Sequence, residues 1–143
     1  MANRSSTELI VVHCSATKPS MDIGRDEIDA WHRHRGFFEV GYHYIIRRDG
    51  VLETGRAEEV TGAHARGFNH NSISISLVGG VTEDDVKVAE NNFTPEQFVS
   101  LNQLVKGLQH KFPEAEVLGH CDLKGVTKEC PSFDVRQWLS EQV

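Results

Sequence analysis

Three side chains in the sequence are good metal ligands and stand where a fold could bring them together: His13, His120 and Cys130. His13 and His120 each end a short apolar run, and open α/β sheets bind their ligands at the ends of such strands. Cys130 follows in a loop restricted by Pro131, and this loop is long enough to return to the strand ends. Two imidazoles and a thiolate would leave zinc one open position for water, as in catalytic sites that hydrolyse carbonyl compounds.

The spacing of these ligands leaves a simpler interpretation open, because histidines and cysteines are also ordinary hydrogen-bonded core residues. Successive side chains of a strand point to opposite faces, so Cys14 should point away from His13 and Cys121 away from His120. Neither of these neighbouring thiols is therefore predicted to be a ligand. The chain has eight histidines, and we interpret three of them as surface or hydrogen-bonded core residues: His32, His34 and His110.

The strand that ends in His13 is predicted at residues 9–13, where the apolar run is nearly continuous. Such a run is typical of a strand that is covered on both faces in the centre of a sheet. A hairpin is predicted from residues 42–48 and 51–54, because these segments flank Asp49-Gly50, a strong turn signal.

The remaining segments alternate between helix and strand. Helices are predicted at about residues 25–34, after the capping box that begins at Thr94, and after Asp134. Strands are predicted at residues 72–78 and 116–120. This alternation predicts an α/β fold in which a central mixed β-sheet is flanked by helices.

The length and composition of the chain favour one soluble domain. With 143 residues, 38% of them hydrophobic, the chain can form one core. We predict a single domain over residues 1–143, in which residues 1–8 are flexible. No apolar stretch is long enough for a membrane span or a signal peptide, which predicts a cytoplasmic product without a membrane partner.

Charge and cysteine content exclude two further classes of protein. The net charge is −6, with acidic residues spread along the chain, so nucleic acid is not an expected partner. The three cysteines have no framework spacing, which argues against a disulfide scaffold.

Short motifs occur along the chain in a fixed order. They comprise residues 13–17, 41–44 with Asp49-Gly50, 62–65, Asn69 with 72–75 and 78–80, and 128–134. Together they extend from about residue 9 to residue 138. They resemble the successive motifs of the type 2 N-acetylmuramoyl-L-alanine amidases, a family that includes the peptidoglycan recognition proteins and the short phage amidases. The phage amidases are the most similar in size and in these motifs.

The resemblance implies a phage-type endolysin that lyses the host bacterium. Its reaction would be hydrolysis of the amide between N-acetylmuramic acid and L-alanine in peptidoglycan. His13, His120 and Cys130 fall on the positions of the family's zinc ligands, with one zinc ion per chain. Tyr42 matches the catalytic tyrosine, and Lys128 matches the catalytic lysine of the phage members. The Tyr42 phenol could hydrogen-bond the zinc-bound water or the developing tetrahedral oxygen, and the Lys128 ammonium would stabilise the oxyanion.

A substrate-binding role is expected for His64, because Gly62 and Gly67 flank it with mobile backbone. A structural role for this histidine is an equal alternative. Asn69 and Ser72 could bind the peptide or fix the loop, and the sequence leaves both interpretations open.

Two alternative functions follow from the same resemblance. A non-catalytic peptidoglycan receptor is disfavoured, because Cys130 and Tyr42 are both present. Similar phage amidases also bind and inhibit the RNA polymerase of their phage, partly through the N-terminal segment. In this chain that segment is short and polar, so RNA polymerase is only a possible partner.

A location is also expected, because no export signal and no cell-wall-binding repeat is found in the sequence, as suits a phage endolysin of Gram-negative hosts; a monomer is expected as well. The protein would be made in the cytoplasm of the host cell as a monomer. It would then act on periplasmic peptidoglycan after release by a separate holin.

Overall fold

A computed structural model describes residues 1–142, in which strands and helices alternate along the chain. The strands are β1 (Leu9–Cys14), β2 (Tyr44–Ile46), β3 (Leu52–Thr54), β4 (Ser72–Leu77) and β5 (Glu116–Gly119). The helices are α1 (Arg25–His34), α2 (Pro95–Lys111) and α3 (Val135–Ser140), with short 3-10 turns at Asn69–Asn71 and His120–Asp122. The predicted α/β architecture is therefore confirmed.

The five strands form one mixed sheet in the order β3-β2-β4-β1-β5. Strand β1 is parallel to both of its neighbours, and Val12 lies opposite Ile75 of β4 and Gly119 of β5. The carboxyl ends of β1 and β5 therefore lie side by side. This register brings His13, near the end of β1, close to His120, the first residue after β5.

The two faces of the sheet are covered by different parts of the chain. Ile10, Val12 and Cys14 of β1 belong to the larger core cluster, which includes buried residues of α2. Val11 belongs to a smaller cluster on the opposite face. Because side chains alternate along a strand, His13 lies on the face opposite α2. Cys14 points to the other face, as the sequence predicts. In the described part of the chain, no helix is both long and apolar enough to cross a membrane.

The predicted capping box at the start of α2 is confirmed. The Thr94 side chain accepts a hydrogen bond from the Gln97 backbone at 3.1 Å, and the Gln97 side chain accepts one from the Thr94 backbone at 2.9 Å. Gln97 is fully buried and also donates to the carbonyl oxygens of Ile46 and Val78, at 3.1 and 2.9 Å. This side chain therefore ties the start of α2 to the ends of β2 and β4.

The hairpin at Asp49-Gly50 is also confirmed, with β2 and β3 paired antiparallel. Its first strand is shorter than predicted at both ends, because residues 47 and 48 follow the regular ladder and residues 42 and 43 precede it. They are still held to the segment that follows β3: Arg56 donates from its backbone to the Tyr42 carbonyl at 2.9 Å. Tyr42 thus comes from an irregular stretch at the start of β2.

Residues 1–8, which we name the N-terminal arm, lie against the rest of the domain. Backbone hydrogen bonds join Arg4 to Glu59 at 2.8 Å and Ser5 to His70 at 2.9 Å. Asn3 forms an isolated bridge with Val60. The arm, predicted to be flexible, is thus hydrogen-bonded in the structure, and its motion in solution stays a prediction.

Candidate metal centre

The three predicted ligands meet at the carboxyl ends of β1 and β5. Their ligand atoms all lie within 4.8 Å of one another, and Cys130 Sγ is 3.8 Å from His13 Nδ1. The rings of His13 and His120 are 4.4 Å apart between centroids. Tetrahedral zinc with ordinary bond lengths needs N···S separations of about 3.5 Å. The nitrogen and sulfur donors are therefore of the right type and close to the right spacing for zinc.

The Cys130 loop is fixed to the sheet by several hydrogen bonds. The Cys130 thiol accepts a hydrogen bond from the backbone of Cys14 at 3.2 Å, and the Cys130 carbonyl accepts one from Cys121 at 2.8 Å. Ser132 donates to the Gly80 carbonyl at 2.8 Å. Contact with the Cys14 thiol, and then burial, raises the pKa of Cys130 well above its ordinary value. Metal coordination acts in the opposite direction, because a coordinating thiol is deprotonated.

His13 is 2% exposed, and its second ring nitrogen is occupied by a protein partner. His13 Nε2 lies 2.8 Å from His64 Nδ1, and His64 Nε2 lies 2.9 Å from Ser72 Oγ. Ser72 in turn donates to the Phe68 carbonyl at 2.6 Å. Burial, and after it His64 and His120, lowers the pKa of His13 well below its ordinary value. His13 is therefore neutral and able to bind a metal.

His64 lines the cleft, but both of its ring nitrogens contact protein atoms. Burial, and then the neighbouring His43, lowers the pKa of His64 to about 3. The backbone N–H groups of His64 and Ala65 donate to Asn69 Oδ1 at 2.9 and 3.0 Å. Asn69 and Ser72 therefore fix this loop. For His64, the contacts favour the structural alternative over substrate binding.

Tyr42 lies beside the ligands, with its ring 5.2 Å from that of His13 and 5.4 Å from that of His32. Burial, and after it the charge of Cys130, raises the pKa of Tyr42 well above its ordinary value. The phenol therefore stays protonated at neutral pH and is a hydrogen-bond donor.

Lys128 is exposed and lines the same cleft. Burial lowers the pKa of His13 and of His120, and the positive charge of Lys128 lowers both pKa values further. The ammonium group therefore acts electrostatically on the ligand cluster from the cleft mouth.

The cleft that contains the ligands has a volume of about 850 Å³. Among the described residues that line it, the charged side chains are all basic: Arg35, Arg66, Lys124 and Lys128. This contrasts with the net charge of −6 for the whole chain. The cleft is therefore an electropositive site that favours anionic ligands.

Sequence reasoning missed the first three of these cations, whereas the interpretation of His32 as a hydrogen-bonded core residue agrees with the structure. His32 lines the cleft and accepts a hydrogen bond from the Gly41 backbone at 2.8 Å. It is buried, whereas His34 and His110 are exposed. No spacing in the sequence links Arg35 to Arg66 and Lys124, because they lie in separate segments that meet only in the fold.

Comparison with known proteins gives consistent matches. Residues 3–133 match a family model described as N-acetylmuramoyl-L-alanine amidase. The endolysins of Enterobacteria phage T3 and Escherichia phage T7 are each 49% identical over 135 residues, which cover 94% of this chain and 87% of the relative.

Solved structures agree with these matches. The N-acetylmuramoyl-L-alanine amidase LysC from Clostridium intestinale has a TM-score of 0.77 and 29% identity, covering 94% of this chain and 84% of that protein. Drosophila PGRP-LB has the same fold, with a TM-score of 0.77 and 24% identity, covering 98% of this chain and 84% of that protein.

Proposed function

Because the chain belongs to the N-acetylmuramoyl-L-alanine amidase family, we propose that it performs this reaction with one zinc ion held by His13, His120 and Cys130. The reaction is hydrolysis of the amide between N-acetylmuramic acid and L-alanine in bacterial peptidoglycan. The chain is thus a hydrolase of the phage endolysin type, an enzyme that degrades the cell wall and lyses the bacterial host.

The observation that carries the zinc proposal is the convergence of the three ligand atoms within 4.8 Å. The ligands come from the ends of two parallel strands and from a loop that is hydrogen-bonded to one of them. Zinc held by three protein ligands keeps one coordination position open, where it polarises a carbonyl group and lowers the pKa of water.

Tyr42 and Lys128 supply the remaining groups of the proposed mechanism. The Tyr42 phenol stays protonated, so it can donate a hydrogen bond to the oxygen of the amide carbonyl as negative charge develops there. The Lys128 ammonium adds positive charge at the same mouth of the cleft. Both groups stabilise the transition state more than the substrate, which is the requirement for faster turnover.

The basic residues around the ligands also support peptidoglycan as the substrate. The stem peptide carries free carboxylates, and Arg35, Arg66 and Lys124 line the cleft without acidic neighbours in its lining. A guanidinium group can bind a carboxylate through two hydrogen bonds, and a lysine ammonium attracts a carboxylate as a point charge. We therefore assign these three side chains to binding of the peptide part of the substrate.

Metal analysis of the purified protein and digestion of Gram-negative peptidoglycan test the proposal together. We expect about one zinc ion per chain, and products identified by mass spectrometry as stem peptides that begin with L-alanine. A protein that binds zinc but does not cleave peptidoglycan would contradict the proposed enzymatic activity and favour a receptor. Cleavage of glycan strands would contradict the assigned bond.

The partners and the cellular route stay predictions. The protein is predicted to be a monomer that is made in the host cytoplasm and released to peptidoglycan by a holin. RNA polymerase is a possible second partner, bound through the N-terminal arm. A pull-down with the polymerase of the cognate phage tests the last point. Absence of binding at micromolar concentration would contradict it.

A further inference from the structure

We propose that His64 and Ser72 hold His13 in the one tautomer that can bind zinc through Nδ1, so that His64 is a positioning residue for the metal. This inference rests on the proposed function, since it takes His13 to be a zinc ligand. It also gives a specific role to a histidine whose sequence position suggests the substrate groove.

The argument begins with Ser72, which is fully buried at the start of β4. Its Oγ lies 2.6 Å from the Phe68 carbonyl oxygen. Two oxygens at this distance must share a proton, and a carbonyl has none to give. The single hydroxyl proton of Ser72 is therefore directed at Phe68.

That donation fixes the proton on His64. His64 Nε2 lies 2.9 Å from Ser72 Oγ, which has only lone pairs left to offer in this direction. Nε2 must therefore carry the ring proton and donate it to Ser72. A neutral imidazole has one N–H group, so Nδ1 of His64 is left as an acceptor.

The same reasoning reaches His13. His13 Nε2 lies 2.8 Å from the acceptor Nδ1 of His64, so His13 Nε2 must carry a proton. The proton-free nitrogen of His13 is then Nδ1, which lies on the side of Cys130 Sγ at 3.8 Å. The chain of donors thus ends with a lone pair directed toward the other proposed ligands.

The opposite pair of tautomers, with protons on Nδ1 of both histidines, is disfavoured by the contacts of Ser72. A proton on His13 Nδ1 would require His64 to donate from Nδ1 and accept at Nε2. The Ser72 hydroxyl would then turn toward His64 and leave two oxygens 2.6 Å apart with no proton between them. Their lone pairs would repel each other, and the Phe68 carbonyl would keep only its longer hydrogen bond from the Asn71 backbone at 3.4 Å.

The position of His64 is itself fixed by Asn69. One side-chain oxygen of Asn69 accepts from two successive backbone N–H groups, those of His64 and Ala65. The imidazole is thus presented from a braced loop, and its ring lies edge-on to that of His13, with the planes at 86°. Outer partners of this kind orient metal-binding histidines, and their loss weakens metal affinity by roughly 10- to 100-fold.

Nitrogen-15 NMR of the imidazole rings in the metal-free protein tests the tautomers directly. We expect the proton on Nε2 in both His13 and His64. A proton on Nδ1 of His13 would overturn the proposal. This measurement requires neither zinc nor activity.

Zinc affinity, measured by competition with a chelating dye, tests the consequence. His64→Phe keeps an aromatic ring at this position and removes both hydrogen bonds, so we expect the zinc dissociation constant to rise by roughly 10- to 100-fold. Ser72→Ala should raise it by a smaller factor. The matched control is His70→Ala, an exposed histidine between β3 and β4 like His64, which should leave the constant unchanged.

Two outcomes separate failure of this inference from failure of the proposed function. Wild-type zinc affinity in a folded His64→Phe protein, with the fold checked by circular dichroism, would overturn the positioning role alone. A wild-type protein that binds no zinc would overturn the ligand set, whichever tautomers the rings adopt.

Discussion

The backbone N–H of Cys14 donates a hydrogen bond to the thiol of Cys130 at 3.2 Å. Two adjacent residues of β1 therefore serve the same centre in different ways: His13 offers its imidazole, and Cys14 offers its amide. The Cys14 side chain itself packs in the core on the α2 side of the sheet, where Cys130 also packs against it. Any change that shifts the end of β1 would disturb two of the three proposed ligands at once.

Loss of the thiol should remove the metal. Cys130→Ala leaves two imidazoles, so we expect a zinc content well below one per chain and loss of nearly all turnover. The measurement is elemental analysis after dialysis, beside peptidoglycan digestion. Cys121→Ala is the control, because this thiol lies outside the ligand cluster, and it should retain both zinc and activity. Turnover by a zinc-free Cys130→Ala protein would contradict the ligand set.

Removal of the Tyr42 hydroxyl should affect chemistry and leave metal binding intact. Tyr42→Phe keeps the ring that packs beside His13, so zinc content and melting temperature should stay near wild type. Removal of one donor to a developing oxyanion lowers kcat by about 100- to 1,000-fold. Steady-state hydrolysis of a soluble muropeptide measures this effect. Wild-type kcat would show that the phenol has no catalytic role.

Two lysines of the cleft should differ in their kinetic effect. Lys128→Ala should lower kcat by roughly tenfold or more with zinc retained, because its charge reaches the ligand cluster. Lys124→Ala should raise KM with little change in kcat, because it is assigned to binding of the peptide. Kinetics of both variants on one muropeptide give the comparison. The same pattern in both would contradict the separate roles.

The arrangement of the elements could be predicted well from the sequence. The apolar run of β1, the turn at Asp49-Gly50 and the capping box at Thr94 are local signals, and the structure confirms each of them. The meeting of His13 with His120 was also predictable, because parallel neighbouring strands end at the same edge of a sheet.

Other parts of the site depend on contacts that no local pattern encodes. His64 and Ser72 are polar residues in and beside a loop, and their hydrogen bond to each other depends on how that loop is folded back. The basic lining of the cleft arises from segments far apart in the sequence, including Arg35 and Lys124. Tyr42 was placed in a regular strand, whereas it precedes the strand and reaches the cleft from an irregular stretch.

Acid should weaken the hydrogen bonds that Glu58 accepts at a position away from the cleft. Glu58 accepts hydrogen bonds from Lys111, at 2.6 Å, and from Tyr44. Although burial opposes ionisation, these partners lower the pKa of Glu58 below its ordinary value. A carboxyl group with a lowered folded pKa stabilises the fold above its unfolded pKa of about 4.3, and this contribution is lost as the pH falls through the folded value.

Glu58→Gln should therefore be less stable than wild type at pH 7, by about 1 kcal/mol. The difference should shrink as the pH is lowered from 7 toward 3, because protonation of the carboxyl group removes the contribution of its charge. Urea unfolding at both pH values measures it, and the exposed Glu114→Gln serves as the control. A difference that grows on acidification would contradict the assigned sign.

The helix cap at Thr94 should contribute measurably to stability. Thr94→Ala removes the acceptor for the Gln97 backbone and the donor to the Arg48 carbonyl. We expect a loss of about 1 kcal/mol in the free energy of unfolding. Thr94→Ser keeps the hydroxyl and should recover most of it. Equal stability of the alanine and serine variants would show that the cap contributes little.

The parallel pairing of residues 9–12 with residues 116–119 has a consequence for folding. The proposed ligands come from both ends of the chain, so an unfolded chain cannot present them together. A metal ion that binds only the folded form stabilises it, by about 2.7 kcal/mol at a free concentration 100 times its dissociation constant. Zinc would then link the end of the first strand to the end of the last. A chelator would therefore lower the melting temperature even in the absence of substrate.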